Sequence, residues 1–105
     1  MNCLARIRRR QGRCYELAYR AMLHEPGAEQ FSLVHGRAAQ LPGAGEMIAP
    51  HAWVELDDDR VYDPVRDKYY TADEYAERYL AVAERRYSRV EAMRMAVHGH
   101  YGPWH

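Results

Sequence analysis

The chain has 105 residues, 48% of them apolar and 29% charged, and its 15 basic and 15 acidic side chains balance to a formal net charge of zero. That length makes a single domain spanning 1–105, with one core and one shallow site. No stretch approaches the roughly 18 apolar residues of a membrane span, and a balanced charge points to neither nucleic acid nor membrane as partner.

The opening segment, MNCLARIRRRQG, carries basic residues with no apolar run behind them, so it does not read as a signal peptide. The two cysteines, Cys3 and Cys14, can pair only once, and without an export signal both read as reduced thiols in a cytoplasmic protein. Residues 4–10 suit a short strand or a helical turn. Arg6, Arg8, Arg9, Arg10 and Arg13 cluster there, either as a solvated basic edge or as a patch for phosphate or an acidic substrate. No aromatic residues interleave with them as single-stranded nucleic acid would need. Lys68 is the sole lysine, a bias that a GC-rich coding sequence explains as well as function does.

From Cys14 to His24 the pattern is helical. Cys14, Leu17, Ala18, Ala21 and Met22 recur at spacings of three and four and share one face, and Pro26-Gly27 stops the helix. Gln11-Gly12-Arg13 forms the turn before it, which leaves Cys14 in the first helical turn. FSLVH (31–35) reads as a strand ended by Gly36. The Gly- and Pro-rich stretch 36–50 reads as a loop, with room for a short strand near Glu46-Met47-Ile48.

HAWVEL (51–56) alternates, with His51, Trp53 and Glu55 on one face and Ala52, Val54 and Leu56 on the other. Asp57-Asp58-Asp59 makes a turn, and RVYDPV (60–65) returns as the second arm of a hairpin, ended by Pro64. Thr71 and Glu74 form a capping box for a helix whose Tyr75, Tyr79, Ala83 and Tyr87 recur every four residues. Ser88 and Glu91 repeat the capping pattern for a last helix reaching about His98, with Gly99 as its stop. The sum is an α+β fold: an N-terminal helix packed on a small antiparallel sheet, followed by two C-terminal helices.

Cys14, His51 and Asp63 come in the order and on the elements that a thiol nucleophile, its base and an orienting acid require. A thiol attacks as thiolate. The amides at a helix N-terminus and a nearby imidazole both favour that form, so Cys14 is expected to ionise below the usual value of about 8.5. The hairpin carries a parity condition. If Leu56 pairs with Arg60 around a three-residue loop, His51 and Asp63 share a face as diagonal neighbours; a loop of two or four residues puts them on opposite faces.

Each of these residues also has a plainer reading. A cysteine on the apolar face of a helix is often a small core residue, and an aspartate before proline is commonly a turn residue. Glu55 shares the face of His51 and is an alternative orienter. His35 lines the cleft as a substrate contact if its strand lies beside HAWVEL, and Trp53 either roofs the site or packs in the core. His98, His100 and His105 invite a metal reading but lack the spacing of a rigid ligand pair. The simpler reading is a tail whose Tyr101 and Trp104 pack back on the domain.

The segments GRCYELA, LVHG, HAWVEL and VYDPV together resemble the papain-like cysteine-enzyme superfamily, and within it the transglutaminase-like branch. That branch carries a helix-starting cysteine, then a strand opening His-x-Trp-Val-Glu, then an aspartate on the adjacent strand. The resemblance spans roughly residues 11–66. It implies catalysis at a helix–sheet boundary with Cys14 as nucleophile, His51 as base and acid, and Asp63 as orienter. The implied chemistry is acyl transfer through a thioester on a peptide or small amide, with no cofactor. This chain is far shorter than typical members, and the glutamine that papain-type proteases keep upstream as an oxyanion donor has only Gln11 as a weak substitute. The backbone N–H of Cys14 is the alternative donor. The rival readings are a binding or accessory module of the same fold without turnover, and a metal-binding domain.

Overall fold

The computed structural model describes residues 13–25, 30–39, 47–97 and 99–104. The expectations for Cys3, the 4–10 segment, Gln11, His98 and His105 lie outside the described residues. Within them the chain runs α1 (Cys14–His24), β1 (Ser32–Ala39), β2 (Ile48–Glu55), β3 (Arg60–Asp63), β4 (Lys68–Thr71), α2 (Ala72–Tyr79), β5 (Val82–Tyr87) and α3 (Arg89–Met95). The five strands form one sheet in the order β4-β3-β2-β1-β5, every neighbouring pair antiparallel. The class is α+β, with one helix ahead of the sheet and two after its hairpin. No helix among the described residues is long and apolar enough to cross a membrane.

The alternation along β2 divides the protein into two cores. Ala52 and Val54 pack with Cys14, Ala18 and Met22 of α1, and Ala92 of α3 belongs to the same cluster. Trp53 and Val61 face the other way and pack with Tyr75 and Tyr79 of α2. The sheet is therefore covered on both faces, which explains why β1 buries Leu33, Val34 and Ala38 completely.

The β2–β3 hairpin meets the parity condition. Val54 pairs with Tyr62 and Glu55 with Val61, and the Leu56 amide donates to the Arg60 carbonyl at 2.8 Å. Three residues, 57–59, make the loop, and Asp59 takes the left-handed conformation (φ 67°) that such a loop needs.

Three expected boundaries move. The first strand does not stop at Gly36 but runs on to Ala39, with the β1–β5 register shifting between His35 and Gly36. A Cβ on Gly36 would lie 2.1 Å from the Val82 carbonyl oxygen and 2.9 Å from the Trp53 ring, so here glycine permits close approach rather than a turn. The second strand begins at Ile48, ahead of the expected His51, and takes in only the last residue of the expected short strand, whose Glu46 lies outside the described residues. The helix capped by Thr71 ends at Tyr79, where Leu80 adopts a left-handed φ of 53°. Ala83 and Tyr87, expected on that helix, lie instead in β5, which covers the outer edge of β1. The four-residue spacing is thus split between a helix and a strand. The exposed Glu84, Arg85 and Arg86 keep that edge strand charged.

Beyond α3, Gly99 (φ 72°) turns the chain, its amide donating to the Ala96 carbonyl. Tyr101 packs on Tyr19 and lies under the Arg20 guanidinium. Trp104 packs on His35 and Tyr87, so the tail folds back over the domain.

Candidate active site

Asp63 ends β3 and is fully buried. Its Oδ1 accepts the amides of Val65 at 2.9 Å and Arg66 at 3.3 Å, the local pattern of an aspartate opening a turn at proline. Its Oδ2 accepts from His51 Nε2 at 3.1 Å, Arg66 Nη1 at 2.8 Å and the Tyr75 hydroxyl at 2.8 Å. The turn reading and the orienting reading therefore describe two oxygens of one carboxylate. Burial pushes this carboxyl upward, but the His51 hydrogen bond and charge, the Arg66 charge and the Tyr75 hydroxyl outweigh it and hold the group at about 2.

His51 is fully buried, with Trp53 beside it on the same face. An ionised carboxylate only accepts hydrogen bonds, so the neutral imidazole must carry its proton on Nε2 and leave Nδ1 as the lone-pair nitrogen. Among the described residues His51 Nδ1 has no hydrogen-bond partner. Glu55 is not an alternative orienter, because Arg86 of β5 engages it at 2.7 and 3.0 Å.

Cys14 is the first residue of α1, 4% exposed and a free thiol. The β2 amides that point toward β3 are those of even-numbered residues, as the Leu56 bond shows. At Ala52 that amide lies beyond the last β2–β3 pair, and it is turned on the Cys14 sulfur instead. The helix amides of Tyr15 and Cys14 itself also face the sulfur. Three backbone groups thus act on the thiol and favour its ionised form, one of them, Ala52, next to His51 in the chain.

Two expectations fail at this point. Burial pushes the thiol up to about 11, against the lowering by the Ala52 and helix amides, with the Asp63 charge adding to the rise. The resting group is a thiol, not a thiolate. Nor does a hydrogen bond join Cys14 to His51. Strand alternation explains the gap: α1 packs on the Ala52/Val54 face, whereas His51 and Asp63 lie on the face covered by α2.

The other expected residues divide. β1 lies beside β2, and His35, paired opposite Ala52, lines a cleft on the α1 face. Trp53 is 2% exposed and packs against His51 and Tyr75, so it walls the histidine rather than that cleft. Among the described residues no three His, Cys, Asp or Glu side chains converge as a metal site.

Arg66 and Tyr75 are the site residues that sequence reasoning missed. Arg66 is nearly buried, spans from Asp63 to the Ala39 carbonyl and lies 4.1 Å from the centre of the Tyr79 ring. Its position three residues after Asp63 in a proline turn was a usable signal. Tyr75 had none, because its approach depends on how α2 docks. No protein-family model matches the chain, and neither a curated protein nor a solved structure does.

Proposed function

We propose that the protein is a cysteine-dependent hydrolase or acyltransferase of papain/transglutaminase-like type, acting on an amide or peptide bond through a thioester. The observation that carries this reading is the buried His51–Asp63 pair, which leaves His51 Nδ1 without a partner one residue along β2 from Ala52, whose backbone acts on the Cys14 thiol.

The reaction is balanced by these groups alone. The Cys14 sulfur adds to the carbonyl carbon as its proton passes to His51 Nδ1. The Ala52 and Cys14 amides suit the developing oxyanion. The imidazolium returns the proton to the leaving nitrogen, the C–N bond breaks, and a thioester remains. Water or a second amine then attacks the thioester, loses its proton through Nδ1, and the C–S bond breaks to restore the thiol. Asp63 keeps Nε2 protonated and stabilises the imidazolium without taking the proton. Substrate must bring the thiol and imidazole together, since catalytic hydrogen bonds often tighten only in the complex.

The burial of Cys14 and its thiol at about 11 favour a second reading, a module of this fold without turnover. Incubation with p-nitrophenyl acetate and a panel of peptide amides, followed by mass spectrometry of the peptide containing Cys14, decides between them. An acyl adduct on Cys14 that His51→Ala slows at least a hundredfold supports the enzyme. Absence of any adduct leaves the silent module.

A further inference from the structure

The cleft on the α1 face has a composition that specifies a ligand. We propose that it is the acyl-donor subsite of the enzyme, that it takes a peptide segment carrying a carboxylate, and that it delivers that segment to Cys14. The proposal rests on the cysteine reading given above.

The cleft encloses about 410 Å³, within the roughly 300–1,000 Å³ of small-ligand sites. Tyr15, His35 and Tyr87 form its aromatic wall, with His35 edge-on to both tyrosines at 4.7 and 5.0 Å. Arg37 and Arg85 stand at its mouth with Glu84.

Its position follows from the register. Arg37 pairs with Pro50 and His35 with Ala52. Pro50 and Ala52 project to the same face, two residues apart, which is about 7 Å of strand. Pro50 lines the cleft, and Ala52 packs in one cluster with Cys14. Tyr15, next to Cys14 in sequence, joins the two, and its hydroxyl feels the charges of Glu84 and Arg37 across the opening. An extended peptide seated on the aromatic wall therefore needs about two residues to bring a carbonyl to the sulfur.

The charge selects the ligand. Glu84 is taken up by Arg37 at 3.3 Å. Arg85 has no ion pair among the described residues, so the mouth carries one uncompensated cation. Arg85 lines the cleft together with Tyr15, His35 and Tyr87, and a guanidinium in the same cleft as aromatic rings suits a carboxylate on a residue beside an apolar or aromatic one.

The test titrates the isotopically labelled full chain with two blocked dipeptides, acetyl-tyrosyl-glutamate amide and acetyl-tyrosyl-glutamine amide, and follows backbone amide resonances. The glutamate peptide should shift residues 35–37 and 84–87 and bind about fivefold tighter than the glutamine peptide, the size of one exposed ion pair. Arg85→Ala should erase that preference, and Arg85→Glu should invert it. Equal affinity for both peptides, shifts centred elsewhere, or no shifts would overturn the proposal. Iodoacetamide labelling of Cys14 in the same samples separates the two claims. Peptide bound in the cleft with a thiol that stays inert removes the enzymatic reading but leaves the carboxylate site standing.

Discussion

His51 and Arg66 bind the same oxygen of Asp63, at 3.1 and 2.8 Å. With Tyr75 as a third donor at 2.8 Å, that oxygen is saturated, and the carboxylate is held ionised inside the protein. Arg66 is thus a positioning residue. In the proposed mechanism it touches no reacting atom, but its charge helps keep Asp63 an acceptor and so keeps the His51 proton on Nε2.

Asp63→Asn should destabilise the fold by about 3 kcal/mol, because it breaks the buried ion pair that Asp63 makes with the nearly buried Arg66. The wild-type carboxyl, at about 2 when folded against about 3.9 unfolded, contributes roughly 2 to 3 kcal/mol of stability. That contribution is complete above the unfolded value and is lost as pH falls through the folded one. Urea unfolding from pH 7 down to pH 2 should show wild type losing this increment and the Asn variant lacking it throughout. A variant as stable as wild type at pH 7 would contradict the buried ion pair.

Tyr75→Phe removes one donor from the same oxygen and leaves the ring in the second core. It should cost about 2 kcal/mol at neutral pH, the usual size for a bond to a charged group. It should also let Asp63 protonate at higher pH, so acid unfolding should begin earlier than in wild type. Circular dichroism during an acid titration reads both effects.

On the proposed mechanism, Cys14→Ala should abolish acyl transfer at a cost of about 1 kcal/mol in stability, since only one buried sulfur is lost. His51→Ala should reduce turnover comparably, because members of one catalytic unit fail together. Cys3→Ala should change nothing in turnover. Without substrate, alkylation of Cys14 at pH 7 should be slow and should keep rising well past pH 9, following a thiol at about 11. The same shift stabilises the fold below about pH 8.5 and loses that effect as pH rises through the folded value. Fast labelling of the unliganded protein at pH 7 would show that the site opens on its own.

Leu80→Gly tests the point where α2 gives way to β5. Leu80 is half exposed and left-handed at φ 53°, a conformation costing a leucine about 1–2 kcal/mol. Glycine removes that strain but adds entropy to the unfolded chain, so a net gain of about 0.5 kcal/mol is expected. Thermal unfolding measures it. A helix continuing through position 80 would instead make glycine destabilising by about 1 kcal/mol.

Local sequence determined the elements whose signals lie within a few residues. Apolar spacing set the face of α1, the Ser and Thr caps set where α2 and α3 begin, and the odd number of residues between Leu56 and Arg60 put His51 and Asp63 on one face. Tertiary structure decided the rest. Residues 82–87 carry a helix-compatible pattern, but β1 has a second edge to pair, and a left-handed Leu80 frees the chain to cover it. Tyr75 reaches Asp63 only because α2 docks on that face of the sheet. The ionisation of Cys14 shows the division most directly. The helix-start amides that favour a thiolate are local and legible. The burial that overrides them comes with a core cluster that includes Leu33, Ala52, Val54 and Val65, distant in sequence, and it appears only when the sheet and α1 pack together.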